Sequence, residues 1–267
     1  MVKSKVLKQL RKKIEKAEKI ENPLASVLAG NDTAVTIDKD VVVHHNRQAL
    51  ILLCKDDKEC DEKDTKSTDS FWMEYRPSSD LSDVELNHCM DLFELNMGDL
   101  YRNSSWGLDL IEKSEEISHK KARFLMVFPT KNNNNNISDT ENEDNGRSHD
   151  DTHFDKADVD YSQIAAFLNF RFCMDDDETP EYAVLYVYEI HVQASYARRG
   201  IGKRLMALVE QMAASANMDK VMLTVLKANT LAMKFYLEAL GYSIDKDSPS
   251  QCGNKSADYE ILSKELK

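Results

Sequence analysis

Apolar and polar positions alternate in several distinct rhythms along this chain. From Lys3 to Ile20 the apolar residues Leu7, Leu10, Ile14 and Ala17 recur with charges between them, one helical stripe that Asn22-Pro23 ends. Short apolar runs at Val41–Val43, Leu50–Cys54 and Phe71–Tyr75 read as strands. Ser82-Asp83-Val84-Glu85 has capping-box spacing and opens a helix whose buried stripe is expected at Leu86, Met90, Phe93 and Met97. Residues 123–128 form a strand closed by Pro129, and long strand-like runs follow at Ala165–Phe172 and Tyr182–Val192. Gly202 to Asn217 has helical spacing, Val221–Leu226 is a buried strand, Thr230–Leu240 a helix stopped by Gly241, and Tyr259–Ser263 a last strand. Strand–strand–helix–strand–helix–strand implies an α+β or α/β class, a mixed sheet with helices on it.

Two stretches break these rhythms. Residues 55–69 are a charged stretch that reads as a solvated linker. Between Lys131 and Asp160 stand five consecutive asparagines, then nine acidic residues against two basic ones from Ile137 onward. That segment lacks the apolar area to offset ordering entropy, so a disordered acidic insertion is expected. His149 and His153 lie inside it at i,i+4 spacing, a poor setting for a metal site, and no metal is expected.

Composition narrows the function classes. The chain has 267 residues, 42% apolar and 31% charged, which excludes collagenous and wholly disordered chains. No window approaches the roughly 20 apolar residues of a bilayer crossing, so no membrane partner is expected. Five cysteines without CxxC spacing read as thiols in a reducing compartment. The net charge is −12, yet residues 1–21 carry eight Lys/Arg against three Glu. The body is therefore strongly acidic, a poor platform for sequence-specific nucleic-acid binding and a suitable one for a Lys/Arg-rich peptide. The basic stripe reads as a helix packed on the body, with a membrane-surface helix as the alternative; its basic outer face also suits nuclear targeting or chromatin contact.

Arg198-Arg199-Gly200-Ile201-Gly202-Lys203 follows a long strand and starts a helix. Glycines here let successive backbone N–H groups converge, the helix terminus adds partial positive charge, and three cationic side chains flank it. This reads as a pyrophosphate cradle; alone, a tight turn with a glycine helix entry explains it equally well. It lacks the G-K-[ST] of a P-loop and the third glycine of a dinucleotide fingerprint.

Downstream stands Asn229-x-x-Ala232-x-x-Phe235-Tyr236, with Gly241-Tyr242 beyond it. Together with the glycine turn this layout resembles the GNAT superfamily of N-acetyltransferases over about residues 71–264. The resemblance implies a three-layer GNAT fold, a mixed and mostly antiparallel sheet flanked by helices. It makes residues 1–22 a basic amphipathic helix and 23–267 the acetyltransferase domain. It also implies acetyl-CoA as co-substrate, its pyrophosphate held by Arg198 to Lys203. Ile190, His191 and Val192 would pair through their backbone with the pantetheine arm, and Asn229 would lie near the thioester. Ala197 departs from the family's usual Gln or Arg.

Further segments are similar to the NatD-type N-alpha-acetyltransferases, among them Tyr186-Val187-Tyr188-Glu189, Ser105-Trp106-Gly107, Phe170-Arg171-Phe172 and Tyr259-Glu260-Ile261. That likeness implies acetylation of the N-terminal amine of histones 4 and 2A, whose tails begin Ser-Gly-Arg-Gly. A monomer in nucleus and cytoplasm is expected. Alternatives are other protein N-termini or lysines as substrate, and an inactive acetyl-CoA-binding scaffold.

Attack on a thioester needs a neutral amine, and an α-amine titrates at about 7.7–8.0 against about 10.4 for lysine. Glu189, acidic on an otherwise apolar strand, is the expected general base; an edge or salt-bridged residue is the alternative. Tyr188 or Tyr236 would protonate the leaving thiolate, though Tyr236 also fits a core aromatic. Strand alternation puts Tyr188 and Glu189 on opposite faces, so a bulge is expected there if both serve one cleft. Tyr101, Trp106, Tyr186, Tyr188, Thr224 and Tyr259 would bind the peptide, although Tyr101 and Trp106 also suit a core. Cys173 stands where the family has aspartate, which leaves Asp175 to meet the histone arginine.

Overall fold

The computed structural model describes residues 2–29, 41–43, 49–55, 68–131, 159–176 and 178–266. The core of the charged stretch and nearly all of the acidic tract, with His149 and His153, lie outside the described residues. Among the described residues, nine strands form one sheet in the order β1-β2-β3-β4-β5-β6-β7-β9-β8. They are β1 (Val41–Val43), β2 (Ala49–Lys55), β3 (Thr68–Pro77), β4 (Arg123–Pro129), β5 (Ala166–Met174), β6 (Ala183–Val192), β7 (Lys220–Leu226), β8 (Ser243–Ile244) and β9 (Tyr259–Glu265). Every neighbouring pair is antiparallel except β6 and β7. This is the mixed, mostly antiparallel α+β sheet that the sequence predicts.

The sheet separates two apolar cores. On one side lie α1 (Val2–Glu18), α2 (Pro23–Ala29), α5 (Ile201–Ser215) and α6 (Thr230–Lys234). The basic helix buries Leu10, Ile14 and Ala17 in this core, as its stripe predicts, and leaves Lys5, Lys8, Arg11 and Lys12 in water. α1 stops at Glu18, and Asn22 caps α2, its Oδ1 accepting the Ala25 N–H at 3.0 Å.

On the other side lie α3 (Asp83–Arg102) and α4 (Leu110–Ile117), over Phe124, Phe128 and Phe167. The capping box of α3 forms, with Ser82 Oγ accepting the Glu85 N–H and Glu85 Oε2 accepting the Ser82 N–H at 2.9 Å. The buried stripe is turned from the expected one. Cys89, Leu92, Phe93 and Gly98 are buried, whereas Leu86, Met90 and Met97 are only partly so. The rotation seats Cys89 and Leu92 in the second core and leaves Met97 facing a cavity.

The helix expected over Thr230–Leu240 is two pieces. After α6 the chain widens into a π-helical turn over Phe235–Ala239, closed by Leu240 N–H to Phe235 C=O at 3.1 Å. Gly241, at φ +71°, stops it.

Candidate active site

β6 carries the irregularity on which the site depends. Asn169 of β5 faces Glu189 and the next residue, Phe170, faces Val187, so Tyr188 is the extra residue of a bulge. Before it, Ala183, Leu185 and Val187 point into the α5 core; after it, Ile190 and Val192 do. Tyr186, Tyr188, Glu189 and His191 consequently share the α3/α4 side. The Tyr186 and Tyr188 rings lie 5.0 Å apart, and Glu189 and His191 are hydrogen-bonded. The bulge expected from the sequence is present at the expected place.

Glu189 is buried, with both oxygens engaged. Oε1 accepts from Lys113 Nζ of α4 at 2.9 Å, and Oε2 meets His191 Nε2 at 2.7 Å. Burial alone would push its pKa up, but the His191 hydrogen bond and the Lys113 ammonium pull it below the ordinary carboxylate range. Asn96 Nδ2 donates to Val192 C=O at 3.3 Å and faces His191 Nδ1 at 3.4 Å. That network assigns Nδ1 as acceptor and Nε2–H as donor to Glu189. The sequence reading enlists His191 for its backbone; its side chain proves to orient the carboxylate.

The ladder between β6 and β7 ends at Val187 and Leu223, although both strands run on. Where they part, an inner cavity of about 90 Å³ is lined by Glu189, Ile190 and His191 on one side and Val225, Leu226 and Asn229 on the other. Tyr236 closes its floor; burial raises its pKa first and the Glu189 charge second, which keeps the phenol protonated. The π turn aims this ring inward. Val192 does not line the cavity; Asn96 occupies its carbonyl.

A second cleft of about 540 Å³ opens on the far side of Tyr188. Tyr101, Trp106, Tyr186, Tyr188, Thr224 and Tyr259 all line it, as the sequence reading groups them. Trp106 is 43% exposed and lies between the Tyr101 ring at 5.5 Å and the Tyr259 ring at 5.1 Å, a lid residue and not a core aromatic. The Tyr186 hydroxyl bonds Thr224 Oγ1. Burial, then the Glu189 charge, pushes the Tyr101 phenol up to about 12. The two cavities share walls at Tyr101, Trp106, Tyr188 and Thr224.

Asp175 is not in this cleft. Its Oδ1 accepts the N–H groups of Glu181 and Tyr182, each at 3.0 Å, and so closes the β5–β6 hairpin. The cleft's carboxylates come instead from α4 and its cap, namely Asp109, Glu112 and Glu116. Sequence reasoning missed α4 because it is short and largely polar; Asp109-x-x-Glu112 at capping spacing is the signal that marks it.

At the glycine turn, Gly200 caps α5 at φ +76° and Arg198 stands at φ +66°. Ile201 is buried, while Arg198 and Lys203 are exposed. Arg199 donates to Ser195 C=O at 3.2 Å, and Arg204, which sequence reasoning passed over, braces the turn through Arg199 C=O at 3.2 Å. A Cβ built on Gly202 would stand 3.6 Å from Phe235 Cζ and 4.0 Å from Val192 Cγ2. The first turn of α5 thus abuts the end of β6 beside the parted strands, where its free N–H groups suit an anionic group. Asn229 caps α6, its Oδ1 accepting the Ala232 N–H at 3.1 Å, while its Nδ2 points to Met97 Sδ.

The model of the Acetyltransferase (GNAT) family matches residues 124–242, from the start of β4 to Tyr242, just beyond the π turn. Among solved structures, the chain is similar to the PaiA N-acetyltransferase of Thermoplasma acidophilum in complex with coenzyme A. Identity there is 13% over 72% of this chain and 98% of that one, with a TM-score of 0.43. A chain of the NatC complex bound to Gag peptide and CoA matches at 16% identity over 73% and 99%, with a TM-score of 0.42. A putative streptothricin acetyltransferase from Bacillus anthracis, in complex with acetyl coenzyme A, reaches 28% identity over 40% and 59%, with a TM-score of 0.32.

Proposed function

We propose that the protein, whose residues 124–242 match the model of the Acetyltransferase (GNAT) family, transfers acetyl from acetyl-CoA to the N-terminal α-amine of histones 4 and 2A. The observation that carries this reading is the meeting of two cavities at the Tyr188 bulge. The inner one suits a thioester arm laid between β6 and β7, and the outer one suits a peptide end. Backbone groups of Glu189 to His191 on the parted edge of β6 are free of β7 and can pair with the amides of that arm. The α5 terminus with Arg198, Arg199 and Lys203 is placed for the diphosphate.

The neutral amine attacks the acetyl carbonyl, a C–N bond forms, and the C–S bond breaks. The proton released by nitrogen goes to Glu189, directly or through one water. The leaving sulfur takes a proton from Tyr236 or Tyr188, both of which burial keeps protonated. The Ile190 N–H is the oxyanion donor. A tail beginning Ser-Gly-Arg-Gly fits a mouth crowded by Trp106, Tyr188 and Tyr259, since its first residues are small. Its arginine would meet Glu112 and Glu116 in place of the missing family aspartate at Cys173. Nucleus and cytoplasm are the compartments this reading implies.

The test is incubation of the protein with acetyl-CoA and a panel of N-terminal peptides, with the acetyl group located by mass spectrometry. Acetyl on the α-amine of the Ser-Gly-Arg-Gly peptide, and not on lysine or on unrelated N-termini, is the expected result. Acetyl found mainly on lysine side chains overturns the assignment.

A further inference from the structure

Lys113 lines the outer cleft and reaches Glu189 of the inner cavity, yet takes no part in the proton transfers of the proposed reaction. Its side chain is 11% exposed. Its Nζ donates to Glu189 Oε1 at 2.9 Å, to Glu116 in the outer cleft, and to the Tyr101 hydroxyl at 3.2 Å. The Phe93 and Tyr101 rings flank it at 5.1 Å each. All three of its donors are therefore spent on the groups that line the amine's path.

Building on the acetyltransferase reading, we infer that Lys113 is a positioning residue that pairs with the Glu189 carboxylate and so keeps it from trapping the substrate amine as an ammonium ion. A buried carboxylate without a cation would hold an incoming amine in its charged, non-nucleophilic form by pairing with it. One already bonded to Lys113 and oriented by His191 has little field left for that. Glu189 stays ionised, its lone pairs stay aimed, and the amine enters neutral. The pairing also favours an α-amine, whose neutral fraction near pH 7 exceeds that of lysine by roughly a hundredfold or more.

The groups facing Glu189 are few. Lys113 and Glu116 come from α4, Tyr101 from α3, His191 from β6, Asn169 from β5 and Tyr236 from the π turn. Among the described residues, His191 and Lys113 both favour the ionised form of Glu189, and Glu116 pairs with Lys113. Removing the lysine takes away one of these two and so raises the proton affinity of Glu189.

The full-length protein is compared with Lys113→Met, Lys113→Gln and Lys113→Arg. Carboxyl ¹³C NMR, with the Glu189 signal assigned through Glu189→Gln, reads the titration without any peptide. The Met and Gln variants are expected to titrate at least about one pH unit higher than wild type, and Arg close to it. With a peptide that wild type acetylates, kcat should fall in the Met and Gln variants while KM does not rise. The acid limb of the kcat profile should move up by about one pH unit. A Glu189 signal that titrates as in wild type overturns the inference, as does a kcat limb that stays put. If Met fails to fold, Gln gives the same reading. A wild-type protein that acetylates no peptide sinks the proposed function, while the NMR titration still decides the role of Lys113.

Discussion

Asp258 grips Ser105 twice, Oδ2 accepting the backbone N–H at 2.6 Å and Oδ1 the hydroxyl at 2.9 Å. The two residues lie 153 positions apart in the chain, one in the turn after α3 and one just before β9. Their contact pins the loop that carries Trp106 over Tyr259. A lid on the outer cleft is thus fastened from the start of β9.

Asp258→Ala should loosen that lid without touching the reacting groups. Peptide KM is expected to rise on the order of fivefold with kcat nearly unchanged, measured by steady-state kinetics at saturating acetyl-CoA. The bonds from Ser105 hold the Asp258 carboxyl below its ordinary value. The staple should therefore persist down to about pH 4 and open only in stronger acid.

Glu189→Gln keeps the shape and removes the proton acceptor. A fall in kcat of about 10²- to 10⁴-fold is expected, with the fold retained by circular dichroism. Folding stability carries a second signature. Native Glu189 titrates below its unfolded value of about 4.3, so its ion pair with Lys113 contributes fully above that value. The contribution is lost only as pH falls through the lower native value. Urea denaturation of wild type minus variant should give a difference that is flat from about pH 5 to 8 and shrinks in acid.

Tyr236→Phe and Tyr188→Phe separate the two candidate proton donors. Whichever phenol protonates the thiolate should cost about 10- to 100-fold in kcat when its hydroxyl is removed, and the other much less. The arrangement favours Tyr236, whose ring closes the inner cavity beside Glu189.

The two glycines of the turn should answer differently to alanine. Gly200 is left-handed at φ +76°, so Gly200→Ala should cost about 1–2 kcal/mol of stability in thermal or urea unfolding. At Gly202 a Cβ meets only ordinary contacts, and alanine is the better helix former. Gly202→Ala should keep or raise stability yet weaken acetyl-CoA binding in calorimetry, because its methyl group narrows the approach to the α5 backbone.

Much of the layout was legible along the chain. The stripe of Leu10, Ile14 and Ala17, the Ser82–Glu85 box and the Gly241 stop are local features, set by periodicity and by one turn of hydrogen bonds. The need for a bulge at Tyr188 also followed from alternation alone, once Tyr188 and Glu189 were assigned to one cleft. The rotation of α3 was not legible, because which residues a helix buries depends on the Phe124 and Phe128 surface it meets. Neither was the π turn, whose extra residue is set by where Tyr236 packs.

The sequence by itself determined most of the long strands and helices, the glycine turn and the acidic residue at 189, for each depends on neighbours within a few positions. Only the tertiary structure decided what surrounds that acid. Lys113, 76 positions away, reaches Glu189 because α4 crosses the sheet above the bulge. Asp175 is withdrawn to its own hairpin, and α4 supplies the carboxylates of the cleft. Charges separated by long stretches of chain meet through packing, and a Coulomb interaction depends on that distance in space and on burial, not on spacing along the chain.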